Sequence, residues 1–253
     1  MTLKAKAVLI DLAGVLHTGD QVVPGAVDAL QRLRCSGLPL RFLTNTTRSP
    51  SSTIIGKLNA MGFDIHAGEV QTAVLATRKL VEMRGLKPHY LVHPAIAEEI
   101  GPSHTDPDVV VLGDAGPYFT YDALNTAFRW LMGGLPLIAM ARNRYYMDGD
   151  GLALDMGAYV VGLEYCAGVK AEIVGKPARP FFETALADMG VAPQDAVLIG
   201  DDLVDDIAGA QSVGIPSVLV RTGKFRATDE RHPEIQPACI VDDFPAAVDM
   251  LLS

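Results

Sequence analysis

Short apolar runs and longer amphipathic stretches alternate along the chain. The runs AKAVLIDL (5–12), DVVVLGD (108–114) and AVLIG (196–200) are almost continuously apolar, which is typical of strands covered on both faces of a parallel sheet. Between such runs, apolar residues recur at every third or fourth position, as at 121–134, and this spacing predicts amphipathic helices. The alternation of strands and helices predicts an α/β fold with a parallel-sheet core.

The same pattern gives bounds for each element. Strands are predicted at 5–12, 38–45, 89–93, 108–114, 135–141, 170–175, 196–200, 216–221 and 238–241. Helices are predicted at 24–37, 49–62, 70–85, 94–100, 121–134, 157–168, 178–190, 204–214 and 245–252. The apolar face of helix 121–134 is predicted to carry Leu124, Phe128, Leu131 and Met132. The strands outnumber those that one compact sheet needs in a chain of 253 residues, so we expect two α/β units.

Composition and charge exclude some classes of function. The chain is 49% apolar and 20% charged, an ordinary globular composition. Its formal net charge of −9 disfavours general nucleic-acid binding, because that binding depends on neutralising phosphates with cations. No apolar run approaches the ~18 residues of a membrane span. Cysteines 35, 166 and 239 are odd in number and widely spaced, which indicates free thiols, so we expect a cytoplasmic protein without a membrane partner.

Polar residues stand at the carboxyl ends of several predicted strands, and these residues are Asp11, Thr44, Asn45, Asp201 and Asp202. Ligands of open α/β sheets bind beyond the carboxyl ends of the strands, so these side chains are candidates for a site. Taken singly, each has a simpler interpretation, because Asp, Asn or Thr after a strand is usually a turn or helix-cap residue. Lys176, which precedes a proline, is by itself most simply a solvated lysine.

As a set, these residues have the chemistry of phosphoryl transfer. Asp11 is a candidate nucleophile that would form an aspartyl-phosphate. Thr44, Asn45 and neighbouring N–H groups can hold phosphoryl oxygens, and Lys176 can offset the charge of nucleophile and phosphate. The set therefore predicts a site for a phosphorylated substrate at the edge of the sheet.

Carboxylates in the same set predict a metal. Asp201 and Asp206 stand near the end of the strand at 196–200 and would join Asp11. Mg²⁺ prefers oxygen ligands, often one or two carboxylates with water and substrate phosphate. Without a cation, an anionic nucleophile would meet an anionic substrate among several acids, so we expect Mg²⁺ as cofactor.

In this order, the residues resemble the four motifs of haloacid dehalogenase-type phosphatases. The first motif, usually DxDG[TV], is DLAGV at 11–15; the second is Thr44 of LTNT; the third is Lys176 of VGKP. The fourth is GDDLVDD, in which Asp201 and Asp206 have the GDxxxxD spacing. The resemblance runs over nearly the whole chain. Segments 142–177 and 221–234 are similar to the branch of phospholysine phosphohistidine inorganic pyrophosphate phosphatases and related hydrolase-domain-containing proteins.

The resemblance implies a domain organisation and further contacts. It implies a Rossmann-like catalytic core at 1–77 and 174–253, with a smaller α/β cap domain inserted at 78–173. The cap loop RYYMDGDGLALD (144–155) is the expected substrate contact, through Arg144 and Tyr145. Asp148 and Asp150 within it are interpreted as part of a Gly-rich turn. Relatives imply a homodimer through the cap.

One part of the first motif is missing. Where most of the superfamily has a second Asp that serves as general acid and base, this chain has Ala13, whose backbone carbonyl can still bind the metal. A positioned acid or base contributes ~10²–10⁴-fold to the rate. An alkyl phosphate would suffer the full loss, because its leaving alkoxide is very basic. Phosphohistidine, phospholysine and pyrophosphate have better leaving groups, so Ala13 favours P–N bonds and phosphoanhydrides. His17 is a candidate base, although a surface or packing histidine is the simpler interpretation.

Three hypotheses remain open from the sequence. The first is a Mg²⁺-dependent phosphatase acting on P–N or P–O–P bonds in a small phosphorylated substrate or a phosphoprotein side chain. The second is a phosphomonoesterase of the same fold in which another group replaces the missing acid. The third is a phospho-ligand binding protein with weak or no catalysis. The presence of Asp11, Thr44, Lys176 and Asp201 disfavours it, because a pure binder needs no nucleophile. The role of the basic loop at 221–226 is also open.

Overall fold

The computed structural model describes residues 5–148 and 151–253, which divide into two compact units. Unit 1 comprises the chain up to Thr44, Ser51–Gln71 and Lys176–Ser253, and unit 2 comprises Asn45–Pro50 and Thr72–Gly175. The α/β class predicted from the apolar runs is confirmed, since each unit contains a sheet of parallel strands together with helices. The assignment of 1–77 and 174–253 to a catalytic core and of 78–173 to a cap stays a prediction.

The regular elements of the described residues follow one another as strands and helices. The strands are β1 (Ala7–Asp11), β2 (His17–Thr18), β3 (Gln21–Val22), β4 (Leu40–Thr44), β5 (Val70–Thr72), β6 (Pro88–Leu91), β7 (Val109–Leu112), β8 (Leu137–Ala139), β9 (Tyr145–Asp148), β10 (Gly151–Leu154), β11 (Ala171–Ile173), β12 (Ala196–Gly200), β13 (Ser217–Val220) and β14 (Cys239–Val241). The α-helices are α1 (Ala26–Cys35), α2 (Ser51–Ala60), α3 (Ala73–Met83), α4 (Ala97–Ile100), α5 (Tyr121–Met132), α6 (Gly157–Ala167), α7 (Arg179–Met189), α8 (Gly209–Val213) and α9 (Phe244–Leu252).

The main sheet of unit 1 has the strand order β14-β13-β12-β1-β4-β5. β1 lies at its centre and pairs in parallel with β12 on one side and β4 on the other. Every residue of β1 and β12 is buried, which explains their continuous apolar sequences. The sheet packs against a core that includes Phe42, Leu33 and Phe244. Because β14, β13, β12, β1 and β4 run in the same direction, their carboxyl ends form one edge.

Unit 2 contains a smaller parallel sheet in the order β11-β8-β7-β6. It also contains the antiparallel hairpin of β9 and β10, in which Tyr145 pairs with Leu154 and Tyr146 with Ala153. Neighbouring residues of a strand point to opposite faces, so Tyr145 and Tyr146 lie on opposite faces of the hairpin. Tyr145, Leu152 and Leu154 are all exposed. The hairpin therefore presents apolar side chains to solvent.

Three predicted elements were wrong in detail. The helix predicted at 70–85 begins only at Ala73, because Val70–Thr72 form β5 and the Thr72 side chain caps α3 by accepting a hydrogen bond from Leu75 N. The loop predicted at 144–155 is the β9–β10 hairpin, and the turn predicted at Asp148 and Asp150 falls partly on 149–150, outside the described residues. Met132, predicted to lie on the apolar face of helix 121–134, is exposed at the last position of α5.

Two further observations concern the chain as a whole. No helix among the described residues has the length and apolar character that a bilayer crossing requires. Cys35 and Cys166 are exposed free thiols, and Cys239 is a half-buried one.

Candidate active site

The strand order of unit 1 brings the candidate residues to one edge of its sheet. Asp11 is the last residue of β1, Thr44 is the last residue of β4, and Asp201 directly follows β12. β1 lies between the other two strands, so the three side chains are neighbours at their carboxyl ends. All three residues are at most 9% exposed. The buried polar edge is where ligands of open parallel sheets bind.

A cluster of three carboxylates lies at this edge. One oxygen each of Asp11, Asp201 and Asp206 lies within 4.8 Å of the other two. Lys176 Nζ donates a hydrogen bond to Asp206 Oδ1 at 2.6 Å and another to Asp11 Oδ1. All four side chains are nearly inaccessible to solvent. The lysine that sequence reasoning on its own assigned to solvent is therefore part of the buried cluster.

The backbone after β12 carries Asp206 into the cluster. Asp202 begins this segment as a helix cap, since its Oδ1 accepts hydrogen bonds from Val204 N and Asp205 N, each at 2.9 Å. Residues 203–208 then form a π-helical turn, an uncommon geometry that recurs at functional sites. The turn directs Asp206 Oδ2 back to Asp202 N at 3.1 Å. Gly200 leaves room for this return, because a Cβ there would lie 2.6 Å from Asp206 Cγ.

Burial of like charges perturbs the protonation of the cluster. Loss of solvent, with the nearby Asp206 carboxylate, raises the pKa of Asp201 from 3.8 to about 7. Burial also raises the pKa of Asp11 well above its usual value, although the ammonium of Lys176 acts in the opposite direction. Burial alone would lower the pKa of Lys176, but the carboxylates of Asp11 and Asp206 outweigh it and raise that pKa, so Lys176 stays a cation. The raised pKa values of Asp11 and Asp201 show that full ionisation of the cluster is unfavourable with one lysine as the only cation.

The donor set fits a hard divalent cation. When all are ionised, three carboxylates and one ammonium carry a net charge of −2, which a divalent cation would neutralise. Carboxylate oxygens are the ligands that Mg²⁺ and Ca²⁺ prefer. Uncompensated carboxylates are costly to bury, and a cation at this point would remove that cost.

Ala13 lies at the exposed rim of this edge. It follows Asp11 by two residues and is exposed, whereas Leu12 and Gly14 on either side are buried. His17 begins the short β2–β3 hairpin, and its Nδ1 lies 2.8 Å from the carbonyl oxygen of Gly19. Because a carbonyl oxygen can only accept, Nδ1 carries the proton and donates it to Gly19 O. In the neutral ring, Nε2 is then the nitrogen that can accept a proton. The structure therefore places an uncharged, exposed residue two positions after the buried carboxylate of Asp11.

The remaining predicted residues belong to unit 2. Asn45 directly follows Thr44 and packs against Gly175, where a Cβ would lie 2.8 Å from Asn45 Oδ1. Arg144 and Tyr145 line a surface cavity of about 630 Å³, together with Arg142. In unit 1, the structure thus brings together Asp11, Thr44, Lys176, Asp201 and Asp206. Asn45, Arg144 and Tyr145 belong to unit 2.

Two sets of contacts escaped sequence reasoning. In unit 2, Arg48 Nε lies 3.1 Å from Asp114 Oδ2, and Arg48 Nη1 donates to the Tyr146 hydroxyl at 3.0 Å. In unit 1, Lys224 N donates to Asp201 Oδ2 at 2.7 Å. Both contacts join residues far apart in the chain. The basic character of the segment RTGKFR (221–226) was the one signal for the second of them.

Comparison with known proteins agrees with this geometry. A family model described as haloacid dehalogenase-like hydrolase matches residues 8–105, and a second, described as HAD-hydrolase-like, matches residues 173–247. The chain is 46% identical to haloacid dehalogenase-like hydrolase domain-containing protein 2 of Rattus norvegicus, over 98% of this chain and 96% of that protein. It is 44% identical to phospholysine phosphohistidine inorganic pyrophosphate phosphatase of Danio rerio, over 98% of this chain and 94% of that one.

A solved structure supports the fold independently of close sequence similarity. The 4-nitrophenylphosphatase of Thermotoga maritima superposes with a TM-score of 0.89 at 23% identity, over 98% of this chain and 97% of that one. At this level of identity the likeness concerns the fold alone. Taken with the curated relatives and the acid–lysine cluster at the sheet edge, it shows that the chain belongs to the haloacid dehalogenase-like hydrolase family, as one of its phosphatases.

Proposed function

We propose that this phosphatase is Mg²⁺-dependent, works through an aspartyl-phosphate, and acts on P–N bonds or on pyrophosphate. The observation that carries the proposal is Ala13, an exposed residue without an ionisable group two positions after the buried carboxylate of Asp11. This juxtaposition supplies a nucleophile without the usual neighbouring acid. The reaction is therefore restricted to leaving groups that depart without strong protonation.

In the proposed first step, a carboxylate oxygen of Asp11 attacks phosphorus. A P–O bond to Asp11 forms while the bond from phosphorus to the leaving nitrogen or oxygen breaks, and the leaving atom keeps the electron pair. Lys176 stabilises the added negative charge, since its Nζ already lies between Asp11 and Asp206. Thr44 and Asn45 hold the phosphoryl oxygens.

In the second step, water attacks the phosphorus of the aspartyl-phosphate. The bond between phosphorus and the Asp11 oxygen breaks, inorganic phosphate leaves, and the carboxylate is regenerated. The proton of the attacking water passes to phosphate or to solvent, and His17 Nε2 is the nearest candidate base that the sequence offers. Asp11, Asp201, Asp206 and the Ala13 carbonyl would hold Mg²⁺, which neutralises charge on the phosphoryl group when bound.

The nature of the leaving group explains why these substrates suit the site. A missing acid costs ~10²–10⁴-fold, or about 3–5 kcal/mol of barrier, for a leaving group as basic as an alkoxide. An imidazole leaves far more readily, since the pKa of histidine is ~6.5. Pyrophosphate leaves as a stabilised anion, and the phospholysine nitrogen can carry its own proton before the P–N bond breaks. The Danio rerio relative, whose name states these three substrates, supports the same choice.

Phosphate release from four substrates tests this proposal. Phosphohistidine, imidodiphosphate, pyrophosphate and a simple alkyl phosphate are compared at equal concentration, with and without Mg²⁺, and Asp11→Asn serves as the blank. We expect Mg²⁺-dependent release from the first three, little from the alkyl ester, and none with Asp11→Asn. Equal hydrolysis of the alkyl ester would contradict the leaving-group argument and favour a phosphomonoesterase with a replacement acid. Bound phosphate without any release would favour a binding protein.

The proposal extends to unit 2 and to assembly. We propose that 78–173 is the cap of the core at 1–77 and 174–253, and that Arg144 and Tyr145 contact the part of the substrate that is not transferred. The substrate is a small phosphorylated molecule or a phosphorylated side chain of a protein. The free thiols support a reducing compartment such as the cytoplasm.

We also propose that unit 2 forms the contact of a homodimer. Support comes from an apolar surface cavity of about 300 Å³ between α5 and α6, which includes Leu124, Phe128 and Tyr159. Tyr121, which lines this cavity, and Tyr165 on α6 are 80% and 88% exposed, and contiguous exposed apolar surface of this kind marks protein–protein contacts. Light scattering should give the mass of a dimer, and Tyr165→Lys should shift it toward the monomer. A wild-type protein that stays monomeric at high concentration would contradict this proposal.

A further inference from the structure

The segment Thr222–Lys224 contacts both the Asp201 carboxylate and the loop after Asp11, although it lies outside the four motifs. It directly follows Arg221 after β13, the strand that neighbours β12 in the sheet of unit 1. Its position at the carboxyl edge places it beside the ends of β12 and β1. Its neighbours there carry two of the three clustered carboxylates, Asp201 and Asp11.

Each end of this segment holds a different part of the site. The Thr222 hydroxyl donates a hydrogen bond to the carbonyl oxygen of Gly14, in the loop that follows Asp11. Lys224 N donates to Asp201 Oδ2 at 2.7 Å, which fixes one oxygen of that carboxylate. The segment therefore joins the loop after β1 to the acid after β12.

The middle residue of the segment, Gly223, lies so close to Asp201 and Gly14 that there is no room for a side chain. At Gly223, a Cβ would overlap Asp201 Oδ2 and would lie 2.8 Å from Asp201 Cγ and 2.5 Å from Gly14 Cα. The φ of Gly223 is +62°, a conformation that favours glycine. At Gly14, with φ +91°, a Cβ would likewise overlap Asp201. Gly14 and Gly223 thus both approach the same oxygen of Asp201, Oδ2, and a side chain at either position would displace it.

The Lys224 side chain adds positive charge on the same side of the cluster. Its Nζ donates to Asp202 Oδ2 at 2.9 Å and lies 3.8 Å from Asp205 Oδ2. Both of these acids stand in the segment that carries Asp206 into the site. A cation here partly offsets charge that the buried cluster would otherwise carry alone.

From these contacts we propose that Thr222–Lys224 positions Asp201 for the metal. The segment holds one oxygen of Asp201 and sets the separation between Asp201 and the loop after Asp11, so it acts through these residues and touches no substrate itself. This inference rests on the metal site of the proposed function. Hydrogen-bond partners of metal ligands commonly change metal affinity by 10–100-fold when removed, and we assign that role to this segment.

Metal binding measured without turnover tests the inference. Gly223→Ala should weaken the binding of Mg²⁺, and of Mn²⁺ as a spectroscopic probe, by about tenfold or more in calorimetric titration. The matched control is Gly19→Ala, because Gly19 has φ +58° but no atom within 4 Å of its would-be Cβ. It carries the same backbone strain without touching Asp201, so its metal affinity should equal that of the wild type.

A second pair of variants keeps the test decisive if Gly223→Ala does not fold. Thr222→Val removes the hydrogen bond to Gly14 and should weaken metal binding, while Thr222→Ser keeps the hydroxyl and should restore it. Wild-type affinity in Thr222→Val, and in Gly223→Ala when that variant folds, would overturn the positioning role and leave the phosphatase proposal intact. A wild-type protein that hydrolyses the substrates yet binds neither cation would overturn the inference together with metal dependence.

Discussion

Lys176 Nζ lies 2.6 Å from Asp206 Oδ1, and the two side chains are 5% and 1% exposed. The same ammonium bonds Asp11 at the end of β1, so one buried cation holds two carboxylates from distant parts of the chain. In water such a pair would contribute little. Here both carboxylates are buried, so neither could be hydrated if Lys176 were lost. Lys176 therefore stabilises the folded protein as well as offsetting negative charge in the site.

Lys176→Met should therefore destabilise the protein as well as abolish turnover. Removing one partner of a buried ion pair costs ~3–5 kcal/mol, because uncompensated charge stays in the interior. Urea unfolding monitored by circular dichroism measures the free energy of unfolding. The control is Lys57→Met, since Lys57 pairs with Asp20 at 2.7 Å on the surface and its loss should change little. Equal effects of the two variants would contradict the buried role of Lys176.

Ala13→Asp should widen the substrate range toward alkyl phosphates. The new carboxyl group would stand two residues after Asp11 and could protonate a basic leaving group, so we expect kcat/KM for the alkyl ester to rise about tenfold or more. Ala13 is exposed, so the substitution should leave thermal stability nearly unchanged. Ala13→Asn has a similar shape without an ionisable group and should give no gain. A gain with Asn as large as with Asp would argue against acid catalysis.

The raised pKa of Asp201 predicts how the stability of the cation-free protein depends on pH. Its pKa rises from 3.8 to about 7 through burial and the Asp206 carboxylate, so between these values the folded state binds more protons than the unfolded state. The contribution of Asp201 to the free energy of unfolding is therefore fully present below about pH 4 and is lost as the pH rises through about 7.

Comparison with Asp201→Asn isolates this effect from other titrating groups. Without cation, the free energy of unfolding of the wild type should fall by roughly 2–4 kcal/mol relative to Asp201→Asn between about pH 4 and about pH 8. Saturating Mg²⁺ should reverse the trend, because a bound cation favours the ionised carboxylate. Parallel pH profiles for the two proteins without cation would show that Asp201 titrates normally.

Arg144→Ala should weaken substrate binding without altering the chemical step. If Arg144 contacts the part of the substrate that is not transferred, its loss should raise KM about tenfold and leave kcat nearly constant. Arg129 on α5, an exposed arginine of the same unit, provides the matched control as Arg129→Ala. Steady-state kinetics with pyrophosphate separates the two parameters. A fall in kcat at constant KM would assign Arg144 a different role.

Much of the site was predictable because strand ends are visible in the sequence. Asp11, Thr44 and Asp201 terminate apolar runs that can only be buried strands, and parallel strands bring their carboxyl ends to one edge. Lys176 by itself gave no such signal. Its burial between two carboxylates depends on tertiary packing, and its role was inferred from the order of the four motifs.

Other features depend on neighbours that no local pattern reveals. The segment VQTAVLATRKLVEM reads as one continuous helix, and only pairing at the sheet edge separates β5 from α3. The contact of Lys224 with Asp201 requires β13 to lie beside β12, and strand order is not written in the periodicity. The pairing of Arg48 with Asp114 likewise joins residues 66 positions apart.

The open position of Ala13 also has a genetic consequence. Every alanine codon becomes an acidic codon, for Asp or Glu, when its second base changes from C to A. Because the side chain at this position is exposed to solvent, such a change does not disturb the packing of the core. If the proposed chemistry holds, one base substitution in the codon of Ala13 is enough to introduce an acid. Activity toward alcohol phosphates could then arise in one mutational step.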